Sequence, residues 1–180
     1  MIVEPTTSLA EYARVPIAFT VSHVLDVTDR DGAFDLSERR LDVTYEKNYD
    51  AIAGEGPLEW SRRFDLANWA FFTARVAGRV VGGAAVMCDA PDLAQLRDIR
   101  VAPDARGRGV GTALFERAEA WAKLRGCGQL KVETQNTNVP ACRFYEKCGC
   151  RLRAVHRAAY PDFPHEIQLL WYKDVTEPVP

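Results

Sequence analysis

The chain has 180 residues, a formal net charge of −2, and is 47% apolar and 27% charged. That is enough for one globular domain, read here as 1–180, with a sizeable core and the composition of an ordinary soluble protein. The balance of charge weighs against a general nucleic-acid binder. No apolar run approaches the ~20 residues of a membrane span, and Met1-Ile2-Val3-Glu4-Pro5 lacks the basic-then-apolar pattern of a secretion signal.

Residues 1–15 show no clear period and read as a loosely docked, flexible segment. Ile17 to Ser22 is β-rich and reads as a first strand that extends toward Val27. Asp29, Asp31 and Gly32 mark a turn. Between 28 and 66, the weak helical spacing from Leu36 to Tyr49 and the run Leu58 to Phe64 suggest two helices. Tyr45, Tyr49 and Trp60 there are read first as packing residues and second as walls of a substrate pocket. Trp69 to Val76 and Val80 to Met87 flank Ala77-Gly78-Arg79, a hairpin signal, and Gly82-Gly83 implies a bulge or a close backbone approach. A further strand runs from Gln95 to Ala102.

The most informative stretch follows. Arg106-Gly107-Arg108-Gly109-Val110-Gly111-Thr112 lies between that strand and an amphipathic helix from Arg108 to Arg125. Its apolar side is Val110, Ala113, Leu114, Ala118, Trp121 and Leu124, with Arg117 intruding. Gly126 reads as its stop. Alternating glycines let successive backbone N–H groups converge, the helix start adds open amides and the positive end of a dipole, and two arginines add charge. This describes a pyrophosphate cradle. It is not a Walker loop, because no Gly-Lys-Ser/Thr is present, and the third glycine comes one residue early for a dinucleotide fingerprint.

Leu130 to Thr134 alternates as a strand, Gln135 to Asn138 is a polar loop, and Pro140 opens a short helix over Ala141 to Cys148 that Gly149 ends. Strands near 151–156 and 166–173 flank the loop Tyr160-Pro161-Asp162-Phe163-Pro164, and the tail Thr176 to Pro180 reads as frayed. The five cysteines, 88, 127, 142, 148 and 150, are odd in number and lack a Cys-x-x-Cys. Reduced thiols in a cytoplasmic protein are the expectation, with no metal site.

Arg106-x-x-Gly109-x-Gly111 resembles the acyl-CoA loop of the GNAT superfamily of N-acetyltransferases. Asn138, followed seven residues later by Tyr145, resembles the second signature of that family. The run from Val132 to Gly149 and the closing Glu166 to Tyr172 are similar to its streptothricin acetyltransferase-like branch, departing at Cys150, where an aromatic is usual. The resemblance implies an α+β, three-layer fold, with a mixed and mostly antiparallel central sheet of about seven strands flanked by about four helices. The acyl-CoA-binding core would span about 69–150.

It also implies acetyl-CoA as cosubstrate, and direct acetyl transfer to a primary amine of a small cationic molecule, streptothricin- or aminoglycoside-like. Acyl-CoA binding falls to Ile99, Arg100, Val101, Arg106, Gly107, Arg108, Gly109, Val110, Gly111, Thr112, Asn138, Ala141, Phe144 and Tyr145. Tyr145 is the candidate acid for the leaving thiolate, and the Val101 N–H the candidate donor to the thioester carbonyl. Asp98 and Glu133 are alternative bases, each of which can instead be held in an ion pair with Arg97, Arg100 or Lys131. Asp162 and Glu166 are read as solvated acids, and Cys142 and Cys148 as bystander thiols. A protein or peptide acetyltransferase and a non-catalytic acyl-CoA sensor remain alternatives. A small-molecule amine, no nucleic acid, no membrane and a candidate homodimer complete the expected partners.

Overall fold

The computed structural model describes residues 1–175. In chain order its elements are β1 (Ile2–Pro5), α1 (Leu9–Tyr12), β2 (Phe19–Arg30), β3 (Ala33–Lys47), α2 (Trp60–Arg63), β4 (Trp69–Val76), β5 (Arg79–Ala90), β6 (Leu93–Val101), α3 (Val110–Leu124), β7 (Gln129–Gln135), α4 (Val139–Lys147), β8 (Arg151–His156) and β9 (Gln168–Asp174). Seven strands belong to a sheet and β2 and β3 form a separate pair, so the expected α+β architecture stands. The tail expected to fray, 176–180, lies outside the described residues.

The chain divides into two compact units. Among the described residues the first comprises Met1–Ala18, Asn48–Leu130 and 174–175; the second comprises Phe19–Lys47 and Lys131–Lys173.

In the first unit the strand order is β1-β4-β5-β6, all antiparallel. Helix α3 buries Val110, Leu114, Ala118 and Ala122, a ladder of four-residue steps, together with Phe115. Full burial of Leu114 and Phe115 stabilises the fold by about 1.5–3 kcal/mol each. Leu124, expected on this stripe, is instead 84% exposed, because the buried ladder ends on Ala122, and two residues further on the side chain points about 200° around the helix. Arg117 does not enter the core; its guanidinium covers the Phe72 ring at 5.2 Å. The close approach expected at Gly82-Gly83 is present. A Cβ on Gly82 would lie 2.8 Å from Leu114 Cδ1, and one on Gly83 would lie 2.6 Å from Tyr12 Cε2.

The N-terminal segment is not loosely docked. β1 pairs with β4 from Ile2↔Arg75 to Pro5↔Phe72. Ser8 caps α1 by accepting from Glu11 N at 3.2 Å. Tyr12 is fully buried against Trp60 and Phe71. Elements of four residues are too short to display a period. Trp60 is therefore a packing residue, while Tyr45 is 43% exposed on β3.

In the second unit the strand order is β7-β9-β8, and the helix expected over Leu36 to Tyr49 is strand β3. Asp31 and Gly32 both take positive φ, 53° and 80°, the two-residue turn that matches strand twist in a hairpin. The register of β2 on β3 runs evenly from Arg30↔Ala33 to His23↔Arg40 and resumes at Val21↔Tyr45. That irregularity breaks the apolar alternation of β3, Phe34 and Leu36 before it, Leu41 and Val43 within it and Tyr45 where pairing resumes, and leaves a spacing that mimics a weak helix. Only α2 and three single 3-10 turns lie in 48–68.

Candidate active site

In the first unit, β6 delivers Val101 to the start of the glycine loop. The N–H of Ala102 bonds to Val81 O at 2.8 Å. N–H groups alternate along a strand, so the Val101 N–H and C=O are directed away from β5. Ile99 and Val101 lie opposite Ala84 and Gly82, on the α3 face, and both are half-buried. Asp98 and Arg100 take the other face, as alternation requires.

Pro103–Ala105 forms a 3-10 turn, after which Gly107 and Gly109 adopt φ of 71° and 80°. A Cβ on either would meet nothing within 4 Å; glycine is required there by conformation, and the space before the loop is open. Gly109 caps α3 without a side-chain hydrogen bond, and the first helical bond is Ala113 N–H to Gly109 O. The amides of Val110, Gly111 and Thr112 precede it and point out of the helix start. Open amides, a helix dipole and the exposed Arg108 fit a pyrophosphate. Arg106 does different work: its Nε donates to Val101 O at 2.9 Å and a terminal nitrogen to Ala18 O at 3.0 Å, which braces the loop. Gly109→Trp should fill the cradle and lower CoA affinity at least 100-fold by calorimetry, with an unchanged circular dichroism spectrum; wild-type affinity would remove the loop from the site.

Arg100 and Asp98 belong to a buried network. The Arg100 Nε donates to Asp98 Oδ2 at 2.7 Å, its terminal nitrogens reach both Asp50 oxygens at 2.8 and 3.0 Å, and Val15 O is 3.2 Å away. Tyr12 donates its hydroxyl to the same Asp98 oxygen at 2.7 Å. Burial disfavours the Arg100 charge, and the Asp98 and Asp50 carboxylates more than offset that, so the net shift is upward. Burial, followed by the Asp98 charge, pushes the Tyr12 hydroxyl well above the usual tyrosine range. The ion pair weighed for Asp98 is thus present with Arg100, while Arg97 bonds Glu55 at 2.9 Å. The Arg100 side chain is directed into the protein, not toward an outside ligand.

In the second unit, Asn138 caps α4 by accepting from Ala141 N at 3.3 Å, and Pro140 occupies the first turn. Tyr145 is 4% exposed, with its ring edge-on to Phe144 at 5.2 Å. Ala141 is half-buried. Cys142 is buried beside the Thr134 hydroxyl and Gln135 O. Burial pushes its thiol up to about 11, so it stays protonated at neutral pH, and all five cysteines are free thiols.

Strand β7 buries Leu130, Val132 and Thr134 and turns Lys131, Glu133 and Gln135 to the other face. Glu133 Oε1 accepts from the Tyr160 hydroxyl at 2.7 Å, and Gln135 Nε2 donates to the Tyr160 oxygen at 2.8 Å. Glu166, expected to be solvated, is 7% exposed and paired with Lys47, itself 8% exposed, whose ammonium also covers the Phe163 ring at 4.8 Å.

The profile of the Acetyltransferase (GNAT) family matches residues 35–150. The chain belongs to the GNAT acetyltransferase family. Streptothricin acetyltransferase of Escherichia coli is 34% identical over 157 residues, covering 86% of this chain and 84% of that protein. Streptothricin acetyltransferase A of Bacillus subtilis is 32% identical over 143 residues, 78% of this chain and 80% of that protein. A Bacillus anthracis crystal structure, assigned as a streptothricin acetyltransferase and containing acetyl coenzyme A, matches with a TM-score of 0.82 over 96% of this chain and 98% of that chain. At 23% identity that match speaks for the fold.

Membership makes this GNAT chain an acetyl-CoA-dependent N-acetyltransferase. The family match spans residues of both units. Among the described residues no helix is long and apolar enough to cross a membrane. Tyr12, Lys47 and Tyr160 carry interactions at the candidate site residues, or at an acid weighed beside them, that sequence reasoning missed. Each meets its partner from far along the chain, with no motif to mark it.

Proposed function

We propose that this GNAT enzyme transfers acetyl from acetyl-CoA to a primary amine of a small cationic molecule of the streptothricin class, by direct attack with both substrates bound. The open, side-chain-free cap of α3 at Gly109 carries the donor half of this reading. Similarity to streptothricin acetyltransferases over most of both chains supports the acceptor half.

The attacking amine must be neutral, and an alkylammonium near pH 7 is not, so a base must take its proton. We assign that step to Glu133. Asp98 Oδ2 already accepts from both Tyr12 and Arg100, which supports a role in holding the buried network instead. Glu133 gives only Oε1 to Tyr160, and Oε2 is left to face the amine or a bridging water. The Val101 N–H, directed away from β5, is assigned to the thioester carbonyl as negative charge builds there. Ile99 and Val101 line the pantetheine, the amides from Gly107 to Thr112 and Arg108 hold the pyrophosphate, and Asn138, Ala141 and Phe144 also serve the pantetheine. Tyr145 gives its proton to the departing thiolate. The free thiols fit a reducing cytoplasmic setting.

The test is acetyl-CoA-dependent release of thiol with a streptothricin, an aminoglycoside, a polyamine and a peptide as separate acceptors, with the product mass as readout. Acetylated streptothricin is expected; turnover of the peptide alone would favour a protein acetyltransferase instead. Tyr145→Phe should retain acetyl-CoA binding and lose about 10²–10⁴-fold in kcat, the usual span for a lost acid. An unchanged kcat would remove Tyr145 from the chemistry.

A further inference from the structure

We propose that Tyr160 is a positioning residue for the reaction, holding the Glu133 carboxylate in the orientation that accepts the amine proton. The inference rests on the reading of Glu133 as base.

A phenol has one proton to give, and the direction in which it gives it is set by its neighbours. The Gln135 amide donates to the Tyr160 oxygen, and the Tyr160 hydroxyl donates to Glu133 Oε1. The chain of donation therefore runs one way, from Gln135 through Tyr160 to Glu133. An ionised carboxylate only accepts, so the tyrosine must be the donor at this end. Each bond strengthens the next by polarisation. Glu133 and Gln135 sit two residues apart on one face of β7, and Tyr160 bridges them from the turn between β8 and β9.

That turn is itself fixed. Phe163 N–H bonds Tyr160 O at 3.0 Å, and Glu166 N–H bonds Phe163 O at 2.9 Å. Asn136, next along from Gln135, accepts from Ile167 N at 2.8 Å and donates its own N–H to Ile167 O at 3.0 Å. Its side-chain nitrogen bonds Leu25 O at 3.0 Å. The tyrosine is thus mounted on a segment stitched to the same strand as the carboxylate it holds. With Oε1 occupied, the rotation of the carboxylate is fixed and Oε2 is presented in one direction. Misplacement of a reacting group by about 1 Å can cost on the order of 10²-fold in rate.

The experiment is a double-mutant cycle on the full chain, with streptothricin as acceptor. Tyr160→Phe should lower kcat by about 10- to 100-fold, leave the acetyl-CoA KM unchanged and leave the Tm within about 2 °C. In a Glu133→Gln background the same substitution should change kcat by less than about twofold, because a group acting through Glu133 has nothing left to position. Gln135→Met, which frees the phenol to reorient, should give a smaller loss of the same kind and vanish in the same background. Equal losses in both backgrounds, or an unchanged kcat in both single variants, overturn the role of Tyr160 while leaving Glu133 as base. A wild-type kcat for Glu133→Gln, or no turnover by the unaltered enzyme, removes the base or acceptor reading and this assignment with it.

Discussion

Arg100→Leu is expected to unfold at much lower urea than the unaltered chain, with a loss of about 3–5 kcal/mol, the range for one partner removed from a buried ion pair. The guanidinium is 1% exposed and the Asp98 side chain 8%. Removing Arg100 leaves Asp98 with only the Tyr12 hydroxyl, and strips both oxygens of Asp50 of their forked donor. The Val15 carbonyl loses a partner as well. Leucine fills part of the volume and none of the charge. Arg100→Lys should recover part of the loss, since it keeps the charge and cannot supply the planar fork. The tryptophans report unfolding by fluorescence; a loss under about 1 kcal/mol would mean the network contributes little beyond its neutralisation.

The second large effect is expected in the other unit. Lys47→Met should cost about 3–5 kcal/mol by leaving the Glu166 carboxylate buried without its ion-pair partner, and Lys47→Met/Glu166→Leu should recover most of that. The two side chains are 8% and 9% exposed. Lys47 also lies over Phe163, a contact worth about 0.5–2 kcal/mol that the methionine partly replaces by packing. A double variant no more stable than the single one would show that the pair does more than neutralise itself. Both measurements are urea titrations at pH 7.

What the sequence made legible was local. Gly107, Gly109 and Gly111, followed by an apolar ladder from Val110, announce a strand, loop and helix because each signal lies within a few residues of the next. The hairpin at Ala77-Gly78 and the Asn138 cap are of the same kind. The β2–β3 hairpin stayed hidden although Asp31-Gly32 is a strong turn signal, because the register irregularity opposite Ser22 shifts the alternation of β3 half-way along. Arg106 looked like a phosphate ligand from its charge; that its guanidinium is taken by the carbonyls of Val101 and Ala18 depends on a contact across 88 residues of chain. The Arg100, Lys47 and Tyr160 partnerships have the same character. Acids and bases were visible, and who holds whom was not.

Gly82 and Gly83 sit side by side on β5 with nothing but hydrogen on their two faces. On one side Leu114 and Val110 of α3 press against the backbone; on the other, the Tyr12 ring does. Val110 is the first residue of α3 and presents its amide to the cradle, and Tyr12 is hydrogen-bonded into the Asp98–Arg100 network. At this point the first unit is one peptide thick. Elsewhere interdigitated side chains separate its layers, and a shift in one reaches the next through their packing. Here no side chain stands between, so the seat of the anion loop and the seat of the buried charges are two faces of a single stiff plate.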